Sequence, residues 1–135
     1  MPDKLSFGKT FLALEDAISI AQQRHNHITG NVSNLETPNY KPKEVNFKAA
    51  MAQALESGQN VNLVRTHVDH MDIGMDLPGR VEPFEDESEW NGYNWVSIEK
   101  EMTKLTENNL IYRTAVENLL RKIRLLKDVI REGGR

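Results

Sequence analysis

The chain has 135 residues, no cysteine, and 17 Lys and Arg against 20 Asp and Glu, a net charge of −3. That length suits one ordinary domain, or two helices with a modest insert; the missing cysteine excludes disulfides and thiolate metal sites, and the mild acidity excludes a global basic field for nucleic acid. No run approaches the roughly 18 apolar residues of a membrane span, and no basic segment followed by an apolar one opens the chain, so neither direct membrane insertion nor a cleaved secretory signal peptide is expected.

Residues 1–36 read as a first coiled-coil helix. From Phe7 a seam runs through Phe11, Leu14, Ile18, Ala21, His25, Ile28, Val32 and Leu35 in steps that alternate four and three. That is the 3.5-residue period of helices that pair along a stripe. Gly30 inside it costs about 1 kcal/mol relative to Ala, and Pro38 bars helix beyond about Thr37.

Residues 37–95 read as an irregular, partly β middle. The two prolines of Thr37-Pro-Asn-Tyr-Lys-Pro favour extended backbone. Val45 to Leu55 predicts a short helix capped by Asn46 and broken by Ser57-Gly-Gln-Asn60. Val61 to Arg65 alternates as a strand does, and Leu77-Pro-Gly-Arg80 carries the Pro-Gly pair of a type II turn. His67, Asp69, His70 and Asp72 resemble the end of the His-x-His-x-Asp-His motif of metallo-β-lactamase-type hydrolases. The first His of that motif falls at Arg65, and no later ligand set follows, so a solvated polar loop is the better reading. His25 and His27, two apart, point to different helix faces and make no ligand pair. Trp90, Tyr93 and Trp95 surround an Asn-Gly turn signal and suit a local clasp on the start of the next helix. No phosphate loop, dinucleotide turn or nucleophile elbow is present; enzymatic activity, a resident metal and a cofactor are not expected.

Residues 96–135 read as the second coiled-coil helix. Its seam is Ile98, Met102, Leu105, Asn109, Tyr112, Val116, Leu119, Ile123, Leu126 and Ile130. Ser97 is the expected N-cap, Glu99 and Glu101 suit the first turn, and Gly133-Gly134 marks the stop. Each seam has one polar member. If the two helices pair antiparallel with aligned centres, His25 and Asn109 meet and set the register; the alternative is that each faces solvent or a local backbone carbonyl. Leu110, Leu120, Leu125 and Val129 beside the second seam give this helix more apolar surface than one partner covers, which favours assembly between chains. The charge is segregated as well: Thr66 to Glu89 is acidic and the chain beyond Leu110 is basic, a distribution that suits neighbours packing head to tail, although solvated faces are the plainer reading. The fold class expected is therefore mainly α, an antiparallel coiled-coil hairpin of terminal helices with an irregular middle.

The segment Asn31-Val-Ser-Asn34-Leu-Glu-Thr37-Pro-Asn-Tyr40-Lys41 resembles the N-terminal signature of bacterial flagellar rod, hook and hook-associated proteins. In that family two Asn three apart precede a Thr, then commonly a Gly and an aromatic; Asn31, Asn34, Thr37 and Tyr40 match. Ser33 stands where Ala is usual and Asn39 where Gly is usual, and Asn is the next-best residue at positive φ. The short middle and the stretch from Asn94 through Glu107-Asn108 to Tyr112 are most similar to the family's basal-body rod members. The resemblance implies a self-assembling structural subunit, exported by the flagellar type III route without a cleaved signal. Its partners would be further copies, other flagellar rod proteins and the basal-body base and export apparatus. A cytosolic helical-hairpin adaptor or chaperone is the alternative that two strict seams alone also allow.

Overall fold

The first periodic stretch forms helix α1 (Lys4–Ser33, 30 residues). It ends three residues before the expected boundary, because the Asn34 backbone N–H turns back to the carbonyls of Gly30 and Asn31, both at 3.1 Å. The Asn34 side chain also donates to Gly30 O at 2.8 Å. A series of turns then reaches a two-residue strand, β1 (Lys43–Glu44), and a short helix, α2 (Phe47–Ser57). Asn46 caps α2 as expected, its Oδ1 accepting the Ala49 N–H at 3.1 Å. A second short strand, β2 (Phe84–Glu85), pairs antiparallel with β1, Lys43 opposite Glu85 and Glu44 opposite Phe84. Helix α3 (Ile98–Gly133, 36 residues) closes the chain and is about 54 Å long. Ser97 occupies the N-cap position, but its hydroxyl makes no cap bond; Glu99 and Glu101 in the first turn meet the dipole instead. This computed structural model describes residues 4–57, 82–86 and 88–134. The expected strand at Val61–Arg65, the turn at Leu77–Arg80 and the His67–Asp72 cluster lie outside the described residues.

The fold is mainly α. α1 and α3 run antiparallel, Asn31 meeting Glu101, Arg24 meeting Glu107 and Ala21 meeting Asn108. The pairing is slid by about one turn from aligned centres. α2 packs against α1, and the β pair beside it reaches α3 through the Glu44 and Asp86 side chains. There Ile20 of α1, Val45, and Ala50 and Ala54 of α2 form a buried cluster, with Phe47 and Met51 against it. Along the two long helices, outside that cluster, the buried side chains are Ala21, Ile28 and Ala115 together with the polar Arg24, Asn31, Glu101 and Asn108. Small residues let the helix axes approach closely, and the polar ones must then be hydrogen-bonded.

Candidate functional site

The signature residues gather where α1 ends. Asn31 is 1% exposed and uses its whole hydrogen-bonding capacity. Its Nδ2 donates to Lys43 O at 2.8 Å and to Glu101 Oε2 at 2.9 Å. Its Oδ1 accepts the Lys43 N–H at 2.9 Å and the Tyr40 hydroxyl at 3.3 Å. One amide therefore pairs with both main-chain groups of Lys43, as a strand neighbour would, and ties β1 to the start of α3. Asn34 accepts the Thr37 hydroxyl at 3.0 Å, closing the turn that sends the chain from α1 back to β1. The four signature residues are one local device: Asn34 and Thr37 turn the chain, and Tyr40 and Asn31 clamp it.

Below that clamp lies a cluster of ions. Lys104 of α3 donates to Glu44 Oε2 at 2.9 Å, Asp86 Oδ2 at 2.6 Å and Glu101 Oε1 at 2.9 Å. Arg24 of α1 reaches Glu44 Oε1 at 2.9 Å and Glu107 Oε2 at 3.3 Å. Burial pushes the Glu44 carboxyl up, but the hydrogen bonds from Arg24 and Lys104 outweigh it and hold the group below the ordinary carboxylate range. Asp86 follows the same balance: burial raises it, and Lys104 brings it below its usual value. Burial alone would depress Lys104, yet its three carboxylates raise it. Each ion is thus paired rather than stranded, and the cluster joins β1, the residue after β2, α1 and α3.

A second clamp precedes α3. Asn94 is fully buried, and its amide is also saturated. Nδ2 donates to Leu35 O at 2.6 Å and Thr37 O at 3.3 Å, while Oδ1 accepts from Asn91 Nδ2 at 2.9 Å and Val96 N–H at 3.0 Å. Asn91 Oδ1 caps the turn by accepting the Tyr93 and Asn94 N–H groups, and Gly92 takes the positive φ of +94° that the turn demands. The Trp90 and Trp95 rings stack tilted at 4.5 Å, and the Tyr93 hydroxyl donates to Glu36 O at 2.7 Å. The aromatic trio is a clasp between the end of α1 and the start of α3. Asn39 stands at φ 58°, its N–H donating to Tyr93 O at 3.0 Å. Asn39→Gly should leave stability unchanged or slightly raised, whereas Asn39→Val should lose about 1–2 kcal/mol in urea unfolding, since a β-branched side chain resists this backbone.

Reading the sequence did not identify Arg24, Glu44, Glu101, Lys104, Asn94 or Asn108 as buried polar contacts. Only Asn94 carried a signal, next to an Asn-Gly turn. Of the two readings of His25 and Asn109, a buried register pair or two residues facing solvent, their exposure agrees with the second. His25 and Asn109 are both exposed, and the buried amide is Asn108, donating from Nδ2 to Ala21 O at 2.8 Å. His25 and Asn109 do line one cleft of about 250 Å³ together with Gln22 and Tyr112. Asn108 rather than Asn109 therefore faces α1, on the same face of α3 as buried Glu101 and Ala115. Of the first seam, Ile28 is buried, Phe11, Leu14, Ile18 and Val32 are half-buried, and Phe7 lies in the first turns of α1. Of the second, Leu105, Val116 and Leu119 are half-buried, while Met102, Tyr112, Ile123, Leu126 and Ile130 are exposed.

No helix among the described residues is long and apolar enough to cross a membrane. No family model matches the chain. Whole-length relatives do. The chain is 34% identical to the flagellar basal body rod protein FlgB of Bacillus subtilis (strain 168) over 127 residues, 94% of this chain and 97% of that protein. It is 28% identical to FlgB of Aeromonas hydrophila, covering 88% and 90% of the two chains. With FlgB of Escherichia coli (strain K12) identity is 24%, covering 99% and 100%. The alignments run through both helices and the signature between them, and the chain belongs to the FlgB family of flagellar basal-body rod proteins.

Proposed function

We propose that this chain is a non-enzymatic structural subunit of the proximal flagellar rod. Copies assemble through the two terminal helices, with one another and with other rod proteins on the basal-body base, into a helical tube that transmits torque across the periplasm. Export proceeds by the flagellar type III route without a cleaved signal. The observation that carries this reading is the uncovered apolar surface of α3: Leu120, Ile123, Leu125, Leu126, Val129 and Ile130 are all at least two-fifths exposed, Ile130 at 73%. Such a stripe on a folded chain marks an intermolecular contact. Clamps at the helix ends support the same role, because a subunit under torsion needs its two helices held in fixed register.

Sedimentation velocity tests this. The purified chain should associate as concentration rises, and the double variant Ile123→Asp with Ile130→Asp should stay monomeric while keeping its helical circular dichroism. A wild-type chain that remains a helical monomer at every concentration supports the adaptor alternative instead.

A further inference from the structure

Asn91-Gly92 is the only Asn-Gly pair in the chain. Asparagine is thermolabile because the nitrogen of the next residue can attack its Cγ and expel the amide. Glycine in that next position leaves the nitrogen unshielded, and the space where a Cβ would stand on Gly92 is open. The other asparagines of the clamps precede bulky side chains: Val32 follows Asn31, Leu35 follows Asn34 and Trp95 follows Asn94. Asn91 and Gly92 are both exposed, so hydroxide and water reach them. In the folded chain, however, the Asn91 side chain is held at both ends. Oδ1 accepts the Tyr93 and Asn94 N–H groups, each at 2.9 Å, while Nδ2 donates to Asn94 Oδ1 at 2.9 Å and Val96 O at 3.0 Å. The Asn91 N–H is bound as well, to Asn94 O at 3.0 Å. Loss of the amide needs Cγ brought onto the Gly92 nitrogen and a proton delivered to Nδ2. The turn opposes both, because it fixes side chain and backbone together, and the two groups on Nδ2 are acceptors.

We infer that Asn91 is a deamidation site guarded by the fold: it reacts while the chain is unfolded, and the product cannot rebuild the clamp before α3. The Gly92 N–H gives its proton to hydroxide, and the nitrogen bonds to Asn91 Cγ. The Cγ–Nδ2 bond breaks, and Nδ2 takes a proton from water and leaves as ammonia; nothing is oxidised or reduced. Water then opens the cyclic imide. Cleavage of the new N–Cγ bond leaves aspartate, and cleavage between the nitrogen and the Asn91 main-chain carbonyl carbon leaves isoaspartate. Both products lack the Nδ2 donor. Aspartate sets an oxygen against the two acceptors Asn94 Oδ1 and Val96 O, and isoaspartate lengthens the main chain just before Tyr93 and Asn94. From those two residues run the bonds to Leu35 O, Thr37 O, Glu36 O and the Asn39 N–H. Damage at Asn91 therefore loosens the end of α1 from the start of α3.

The wild-type chain would be held at mildly alkaline pH in buffer and in guanidinium chloride, and its peptides scored by mass spectrometry for aspartate and isoaspartate. Asn34 and Asn94 serve as internal references. In denaturant Asn91 should react fastest of the three, and in buffer at least tenfold more slowly than in denaturant, since reaction through an opened turn tracks the open population. Asn91 reacting no faster than Asn34 in denaturant overturns the site. Equal or faster reaction in buffer overturns the protection, and makes the two N–H groups on Oδ1 oxyanion donors that assist the attack. Chains modified in denaturant would then be returned to buffer beside unmodified chains taken through the same cycle. A lower guanidinium midpoint, or failure to refold, is expected of the modified chains, and a lower midpoint of Asn91→Asp. Modified chains with the wild-type midpoint overturn the effect on the clamp.

Discussion

Asn31→Ala should lower the unfolding free energy by roughly 3–5 kcal/mol, a large share of the 5–15 kcal/mol typical of a domain. The change removes four hydrogen bonds at one buried amide, leaving both main-chain groups of Lys43 and one oxygen of Glu101 without that partner. Each buried polar group left unmet costs about 1–3 kcal/mol, and a carboxylate more. Asn31→Asp distinguishes bonding from packing. It keeps the shape but replaces the Nδ2 donor with an oxygen, placing a second carboxylate against Glu101 where the amide now sits at 2.9 Å. Urea midpoints followed by circular dichroism at neutral pH should put Asp at or below Ala. An Asp variant close to wild type would mean that Asn31 matters only by filling space.

Lys104→Met should be comparably damaging, by about 3–5 kcal/mol, because removing one partner of a buried ion cluster leaves the others uncompensated. Glu101, with a side chain only 1% exposed, loses its cation, and Asp86 loses the contact that holds β2 to α3. Glu44 keeps Arg24 and is partly spared. The cluster also sets a pH dependence. Glu44 and Asp86 are held below their ordinary values of 4.5 and 3.8, so their contribution is complete at neutral pH and is lost as acid carries the pH down through the lowered values. Lys104 is raised above 10.5, so its contribution is present at neutral pH and lost only in strong alkali. Asp16 runs the other way: burial first, then Glu15, raises its carboxyl, so acid relieves a small strain there. Urea midpoints for the wild type should therefore fall steeply below about pH 4.5, and Lys104→Met should show a shallower acid limb from a lower plateau. Parallel limbs would detach Lys104 from these carboxylates.

Both long helices, the short α2 with its Asn46 cap, and the stop at Gly133-Gly134 were legible because periodicity and capping are local properties. The positive φ at Asn39 was legible from the residue type that can tolerate it. The exact helix contact was not. Apolar periodicity found Ala21 and Ile28, both buried, but passed over the buried Arg24, Asn31, Glu101, Asn108 and Ala115. The first seam is buried at Ala21 and Ile28, whereas most of the second lies exposed on α3. His25 and Asn109, for which a register contact and solvent exposure were both open, are exposed and line one cleft. Lys104 and Glu44 were hidden for a related reason: a lysine in a charged helix reads as solvated until the fold brings three carboxylates to it. The strands at Lys43–Glu44 and Phe84–Glu85 are two residues each, too short for any alternation to register. Of the signature, recognition supplied the residues, and only the geometry of Asn31 shows what they do.

The role in the rod is tested most directly by mass spectrometry on detergent-extracted, purified basal bodies from flagellated source cells. A structural subunit should be recovered there in amounts proportionate to a ring or short helical stack of copies. It should be lost from those particles when Ile123→Asp and Ile130→Asp replace the native residues. Recovery of the chain only in the cytosol of the same cells would contradict a structural role and leave the adaptor reading in its place.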